Sequence, residues 1–572
     1  MSAGRVRRVN GPVVEVDGLE AGMLELVEVG EARLPGEVIA LDGAVATVQV
    51  YAYTGGLRPG DSVAGTSNPL RAELGPGLLG GVFDGLLGRL SGAGETLQDG
   101  GRARTLDRDR RWLFTPLVAE GDRVEAGAIL GEVPETAAIT FRVLAPPGHG
   151  GTIEWIAPAG ELCVDEPVAR ISGVEVTLVQ HWPVRRPRPV LERLRADVPM
   201  LTGQRALDLF FPLARGSSAA VPGGFGTGKT VLLQQIAKWC EADVIVYVGC
   251  GERGNEMADV LEEMAQLEDP RSGRALLDRT VLVANTSNMP VLAREASIYT
   301  GVTVAELYRD MGYDAVLIAD STSRWAEALR EVASRTGELP AEEGYPAGLA
   351  SALAAFYERS GRVRTLAGGD ASVTILGAVS PPGGDMTEPV SAHTRRFARC
   401  VWSLDPELAY ARHYPAVSWR DSSSRDAERV AEWHVAAHEP LWGVRRERAL
   451  RLLAAADHLE SVAQLVGATS LPDEERVVLM TGRLLREAVL QQSSLSPNDA
   501  TCSLAKQQAL LVLVLDIHDC CLDLARRGVS ASSIEQVDLS AAVRARDTTA
   551  ADDAVGVEAI GAGVLALLRG LA

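Results

Sequence analysis

The sequence predicts a multidomain α/β chain in which an N-terminal β-barrel, a β-rich insertion, a parallel-sheet domain and a C-terminal helical bundle follow one another. Three observations point there. Residues 1–70 alternate apolar and polar positions between turn signals, the period of half-buried strands. Between about 190 and 430, short β-branched apolar runs alternate with helical runs, the pattern of a buried parallel sheet. From 431 to 572 strand signals nearly vanish, and Leu, Ala, Glu and Arg recur at helical spacing. A length of 572 residues accommodates roughly four domains of ordinary size.

In chain order, residues 1–70 hold strand runs such as Val13-Val14-Glu15-Val16-Asp17, and Asp42-Gly43 between two apolar runs reads as a hairpin turn. Residues 71–112 form a connecting segment, with the glycine-rich stretch Leu74-Gly75-Pro76-Gly77-Leu78-Leu79-Gly80-Gly81 followed by an expected helical run over 82–90. Residues 113–185 return to short strands broken at Glu120-Gly121-Asp122, Ala126-Gly127 and Pro146-Pro147-Gly148. No helices alternate with them, so this segment is expected to be a separate all-β insertion. Residues 186–430 are assigned to the parallel-sheet domain, with strands at Val244-Ile245-Val246-Tyr247-Val248-Gly249, Val281-Leu282-Val283-Ala284 and Ala315-Val316-Leu317-Ile318-Ala319-Asp320. Residues 431–572 are assigned to the helical domain, as in Leu484-Leu485-Arg486-Glu487-Ala488-Val489-Leu490.

Composition excludes some classes. A net charge of −20 argues against nucleic acid as the main partner, because phosphate backbones demand a basic surface. No apolar run reaches the ~20 residues of a membrane span, and none follows the basic start Arg5, Arg7, Arg8 as a secretory signal would. Seven cysteines without CxxC spacing suggest reduced thiols, and the vicinal Cys520-Cys521 on an apolar helical stretch reads as core packing. Only Lys229, Lys238 and Lys506 among the 56 basic residues are lysines. A chain that uses arginine wherever positive charge suffices draws attention to each lysine it keeps.

Lys229 stands in Gly223-Gly224-Phe225-Gly226-Thr227-Gly228-Lys229-Thr230, a fit to the GxxxxGK[ST] phosphate loop. Composition alone would produce roughly 0.003 such matches in this chain. A strand can precede the loop at Ser218-Ala219-Ala220-Val221 and a helix can follow over 231–240, the context the motif requires. The glycines let backbone N–H groups turn toward one anion, and the helix N-terminus adds its dipole. Lys229 would then reach the β- and γ-phosphates and Thr230 would ligate Mg²⁺, which makes the parallel-sheet domain a phosphate-loop nucleotide domain.

Hydrolysis of a bound nucleotide needs a placed metal, a polarised water and neutralised charge. Asp320 ends an apolar strand, where a carboxylate contacting Mg²⁺ through water is expected; a simple strand-end turn carboxylate is the alternative. Glu252 and Arg253 follow the strand 244–249 and open on the edge a parallel sheet uses for ligands. Glu252 could polarise the attacking water and Arg253 could contact the γ-phosphate; a surface salt bridge is the alternative.

Several runs resemble the catalytic A subunit (alpha chain) of V-type and archaeal A-type rotary ATPases. They are Val246-Tyr247-Val248-Gly249-Cys250-Gly251-Glu252-Arg253-Gly254-Asn255-Glu256-Met257, Asn285-Thr286-Ser287-Asn288-Met289-Pro290, Ala319-Asp320-Ser321-Thr322-Ser323-Arg324-Trp325, Gly377-Ala378-Val379-Ser380-Pro381-Pro382-Gly383-Gly384-Asp385 and Ser503-Leu504-Ala505-Lys506-Gln507-Gln508. Trp112-Leu113-Phe114-Thr115-Pro116 and Val133-Pro134-Glu135-Thr136 are similar to the β-rich insertion of those catalytic chains, which F-type β subunits, export ATPases and the non-catalytic B subunit lack. The resemblance implies Glu252 as the residue activating water, Arg253 as a phosphate contact and Tyr414, in Tyr414-Pro415-Ala416-Val417, as the flat face on which adenine stacks. A buried core tyrosine is the alternative for Tyr414. The loop departs from many relatives at Gly224 and Thr227 without removing a phosphate ligand, and the redox control linked to a cysteine at the Thr227 position in eukaryotic relatives should be absent. Gly348 stands where a bulkier aromatic is commoner.

What the resemblance implies is a RecA-like fold for the phosphate-loop domain and MgATP hydrolysis or synthesis coupled to H⁺ or Na⁺ translocation. Three copies would alternate with three B subunits in an A3B3 ring around central shaft subunits. The insertion would meet a peripheral stalk, and the whole would form the soluble head on the cytoplasmic face of a membrane ion-translocating sector. Two rivals are an RNA-dependent hexameric translocase, opposed by the charge and by the absence of an RNA-binding motif, and a nucleotide-binding structural subunit, opposed by Glu252 beside an intact loop.

Overall fold

The computed structural model describes residues 4–90 and 104–571; residues 91–103 of the connecting segment lie outside them. The chain divides into two compact units, one of residues 1–195, 216–218 and 242–397, the other of residues 196–215, 219–241 and 398–572.

The first unit begins with a closed barrel of six strands, Gly4–Asn10, Val13–Asp17, Val45–Val50, Leu34–Asp42, Glu25–Val29 and Ser62–Pro69 in spatial order. Alternation sends Val6, Val14, Val16, Val27, Val29, Val38, Val48 and Val63 inward to one dry core. Asp42 pairs with Val45 across the turn, where Gly43 adopts φ +59°. The insertion packs two four-stranded antiparallel sheets. One runs Arg123–Val124, Gly151–Ile156, Pro167–Ile171, Val174–Thr177, the other Thr140–Leu144, Ile129–Pro134, Trp112–Pro116, Gly160–Leu162.

The unit's main sheet is parallel. Thr280–Asn285, Val244–Cys250, Ala315–Asp320 and Asp370–Val379 lie side by side, each fully buried apart from the first residue of the last. Such burial on both faces explains why these runs read as continuous apolar segments. The expected helix over 82–90 is absent. Val82–Phe83 is instead a strand parallel to Leu282-Val283 at the sheet's edge, and a turn follows. The Asp84 carboxylate accepts hydrogen bonds from the amides of Leu86 and Gly88, an alternative to helical bonding, and a Cβ on Gly85 would lie 2.2 Å from the Ala293 carbonyl oxygen. Glycine there serves a close approach rather than a helix.

Buried polar contacts fasten these parts. Glu135 of the insertion accepts from the amides of Gly77 and Leu79, at 2.8 and 3.1 Å, and from the Tyr308 hydroxyl of helix Val291–Asp310. Arg185 pairs with Glu37 of the barrel and with Glu295 of the same helix.

The second unit holds the strand Ser218–Pro222 from Ala219 onward, parallel to Cys400–Val401, and the helix Lys229–Trp239. Most of its remaining regular structure is helical, including Ala427–Ala436, Trp442–Val466, Asp473–Leu484 with a π-helical continuation Leu485–Leu490, Leu504–Arg526, Ser540–Thr548 and Ala554–Arg569. Cys521 is buried on Leu504–Arg526, in line with core packing, whereas Cys520 beside it is only partly buried; all seven cysteines are free. Among the described residues no helix is long and apolar enough to cross a membrane.

Candidate active site

The candidate residues fall into two groups, one in each unit. In the second unit the strand Ser218–Pro222 runs into the glycine loop, and Gly228 caps the helix Lys229–Trp239. Gly226 and Gly228 take φ +77° and +84°, left-handed values that side chains resist. A Cβ on Gly223 would meet the Thr227 hydroxyl at 2.7 Å and the Leu404 Cβ at 2.9 Å, so the loop can fold tightly only with glycine there. Thr227 is buried and donates to the Gly224 carbonyl at 2.9 Å. Gly224 itself faces open space, so a side chain there would meet no atom of the loop. The Lys229 ammonium donates to the carbonyls of Gly223 and Gly224, at 2.6 and 3.0 Å, and so lies across the loop. Thr230 is the second residue of the helix, in its first turn, and Phe225 is fully exposed.

Tyr414 belongs to the same unit. Its side chain is 45% exposed, too open for a core tyrosine, and a Cβ on Gly228 would lie 3.8 Å from its Cε1. The ring therefore stands beside the loop's last glycine with a face available for a flat ligand. Its hydroxyl donates to the Ala409 carbonyl at 3.3 Å.

In the first unit, parallel register sets Gly249 beside Asp320, and Cys250 beside Asn285. The turn Gly251-Glu252-Arg253 leaves the strand at this point and enters the helix Gly254–Gln266. Two backbone bonds fix it: Gly251 N to the Asn285 carbonyl and Ser287 N to the Glu252 carbonyl. Gly251 has φ +76°, and a Cβ there would press on Arg294 and Arg324. Burial is the main cause that pushes the Glu252 carboxyl up to about 7, reinforced by the charge of Asp320 and a hydrogen bond with Glu256, while Arg324 pulls the other way. Asp320 is buried, and its Oδ2 accepts the Tyr247 hydroxyl at 2.9 Å. Arg253 is exposed and lies 3.9 Å from Glu256, a loose surface pair. Gly348 caps the helix Leu349–Tyr357 in open space, and nothing in the structure explains the residue choice.

Tyr247, Glu256 and Arg324 were not legible as site residues. Tyr247 pairs with Ile318, and period-two alternation puts it on the same sheet face as Asp320, so its hydroxyl was the available signal. Among the described residues no cluster of His, Cys, Asp or Glu is built to cage a metal. A Mg²⁺ carried by a nucleotide needs only one or two protein oxygens, and the Thr230 hydroxyl and Asp320 carboxylate are hard donors of the right kind.

A glycine loop at the head of a helix, reached from a parallel strand, defines a phosphate-loop nucleotide-binding protein. The profile of the ATP synthase alpha/beta family, nucleotide-binding domain, matches residues 203–424. The family's beta-barrel domain matches 6–67, its barrel-sandwich domain 103–185, and the C-terminal domain of V and A type ATP synthase 431–536. The V-type ATP synthase alpha chain of Anaeromyxobacter sp. is 53% identical over 522 residues, covering 90% of each chain. The A subunit of the A-type ATP synthase of Methanopyrus kandleri is 49% identical, covering 94% of this chain and 93% of its own. The assembled ATPase EscN from the enteropathogenic E. coli type III secretion system shares the fold at TM-score 0.64 and 22% identity, over 90% of this chain and 100% of its own. The chain belongs to the ATP synthase alpha/beta family, in its branch of A-type A subunits and V-type alpha chains. Its enzyme class is that of an ATP hydrolase or synthase within a rotary ATPase.

Proposed function

We propose that this chain performs the chemical step of a rotary ATPase, hydrolysing or forming MgATP, and that this step drives or is driven by H⁺ or Na⁺ translocation in other subunits. Lys229 and the loop amides hold the β- and γ-phosphates, Thr230 and Asp320 orient Mg²⁺, and Tyr414 stacks on adenine. The metal, when bound, neutralises phosphate charge. Glu252 polarises the attacking water and takes its proton, and Arg253 turns to the γ-phosphate. The B subunit, central shaft and peripheral stalk are the partners of this reading, and the head of a membrane complex is its location.

The observation that carries the reading is Glu252: a half-buried carboxyl at a strand end, pushed up to about 7, where a general base works best near neutral pH. The test is Glu252→Gln in the assembled head, following bound nucleotide and phosphate release together. The amide fills the same space but is a poor acceptor for a water proton. MgATP binding should persist while release falls by about 10²–10⁴-fold. Parallel loss of binding and release would make Glu252 a structural residue instead.

A further inference from the structure

The third retained lysine, Lys506, has no part in the chemistry above, yet it is fully buried. Its ammonium donates to three carbonyls, of Asn498, Arg546 and Thr549, each within 2.9 Å. Three acceptors converging on a point suit a compact ammonium and not a planar guanidinium, which accounts for a lysine in an arginine-rich chain. The ammonium ties the turn before Asp499 to the end of the helix Ser540–Thr548.

Asp499 is equally enclosed. Its Oδ1 accepts from Arg205 and its Oδ2 from Arg546, both at 2.6 Å, and Oδ2 also accepts from the Ser493 amide. Arg205, with no exposed surface, spends its remaining donors on the carbonyls of Val489 and Gln491. Its own amide donates to the Gln492 side chain, whose Nε2 donates to the Gly203 carbonyl. The Gln492 amide donates to the carbonyl of Tyr414 at 2.8 Å. The stretch from Gln491 to Ser503 has no regular secondary structure, so bonds of this kind fix its path in place of a helix or strand ladder.

A buried ion pair is a poor device for stability, since apolar replacements are often as stable; its attested use is to specify one arrangement. Here the arrangement it specifies ends at Tyr414. We infer that Arg205, Gln492 and Asp499 are positioning residues that hold Tyr414 for the adenine ring, and that Lys506 and Arg546 extend this clamp to the C-terminal helices, so that affinity for the base depends on how those helices sit. The inference rests on the stacking role proposed for Tyr414.

The test uses the assembled complex and three variants, Tyr414→Ser, Gln492→Leu and Asp499→Asn, each measured for the KM of ATP and for inhibition by inorganic tripolyphosphate, which has phosphates but no base. Gln492→Leu keeps the backbone amide and the side-chain volume while cutting both side-chain ties, so it carries the test if Asp499→Asn fails to assemble. The expected result is a KM raised about five- to twentyfold, the loss of one or two buried hydrogen bonds, with tripolyphosphate inhibition unchanged. Combining Gln492→Leu with Tyr414→Ser should raise KM no further than Tyr414→Ser alone. An unchanged KM in Tyr414→Ser would remove the stacking role itself. A raised KM in Tyr414→Ser with none in Gln492→Leu, or equal weakening of ATP and tripolyphosphate, or additive effects in the double variant, would overturn the inference while leaving stacking intact.

Discussion

Lys229 is the residue whose loss is easiest to forecast, because its position is over-determined. It opens a helix, lies across a loop with two left-handed glycines and donates to two of that loop's carbonyls. In the proposed mechanism those carbonyl contacts are exchanged for anionic phosphate oxygens, a stronger, charge-assisted bond. Lys229→Ala should therefore lower turnover by at least about 10²–10³-fold and weaken nucleotide binding, measured by phosphate release and by titration with a fluorescent nucleotide. Lys229→Arg should fail as well, since a bulkier planar fork replaces a point charge where the loop is closed around a narrow path. Normal turnover in either variant would remove Lys229 from the proposed mechanism. At this scale the sequence was informative wherever a residue type is required by backbone geometry or charge, as at Gly226, Gly228 and Lys229. It was silent on Tyr247, Glu256 and Arg324, because what places them around Asp320 and Glu252 is strand register and helix phase, and neither leaves a mark on a single residue.

At the scale of elements, the parallel strands were legible because burial on both faces forces unbroken β-branched runs, and the bundle because its helices repeat Leu and Ala over long spans. The segment 82–90 departs from its sequence pattern for a physical reason: its apolar residues suggest a helix, whereas Gly85 answers a backbone approach from Ala293, a contact made across more than two hundred residues. The docking of the insertion was invisible for the same reason. Glu135, buried among the amides of Gly77 and Leu79 and the Tyr308 hydroxyl, has its carboxyl pushed up to about 7 by burial. Its folded value then exceeds its unfolded value near 4.5, so the folded state holds the proton more tightly. Stability from this group is full below about pH 4.5 and is lost as pH rises through about 7. Glu135→Gln presents a permanently neutral group that can accept from the two amides and donate to Tyr308. Urea unfolding between pH 5 and 8 should show the wild-type chain losing on the order of 1–3 kcal/mol that the variant keeps. Parallel pH profiles for the two proteins would mean that Glu135 is already ionised when folded.

For the whole molecule, the domain sequence and the family followed from runs spread along the chain, while completeness of the site did not. Charge that builds on the γ-phosphoryl oxygens must be met from more than one side, and in phosphate-loop enzymes an arginine supplied by a neighbour is worth roughly 10³–10⁵ in rate. Arg253 is a weak candidate for that task alone: it is exposed, follows Glu252 directly in the same turn, and pairs only loosely with Glu256. Reading the chain as one half of an alternating ring, we expect the missing arginine to come from the B subunit. The purified chain should then bind MgATP through its own loop and Tyr414 yet hydrolyse it slowly. Titrating it with the B subunit while following phosphate release should raise turnover by orders of magnitude and saturate at one partner per chain. Nucleotide binding by the isolated chain should change far less across the same titration, because the added arginine acts on charge that exists mainly in the transition state. Full turnover from a chain shown to be monomeric would mean that Arg253, or another arginine of this chain, closes the site unaided, and the interfacial reading would be wrong.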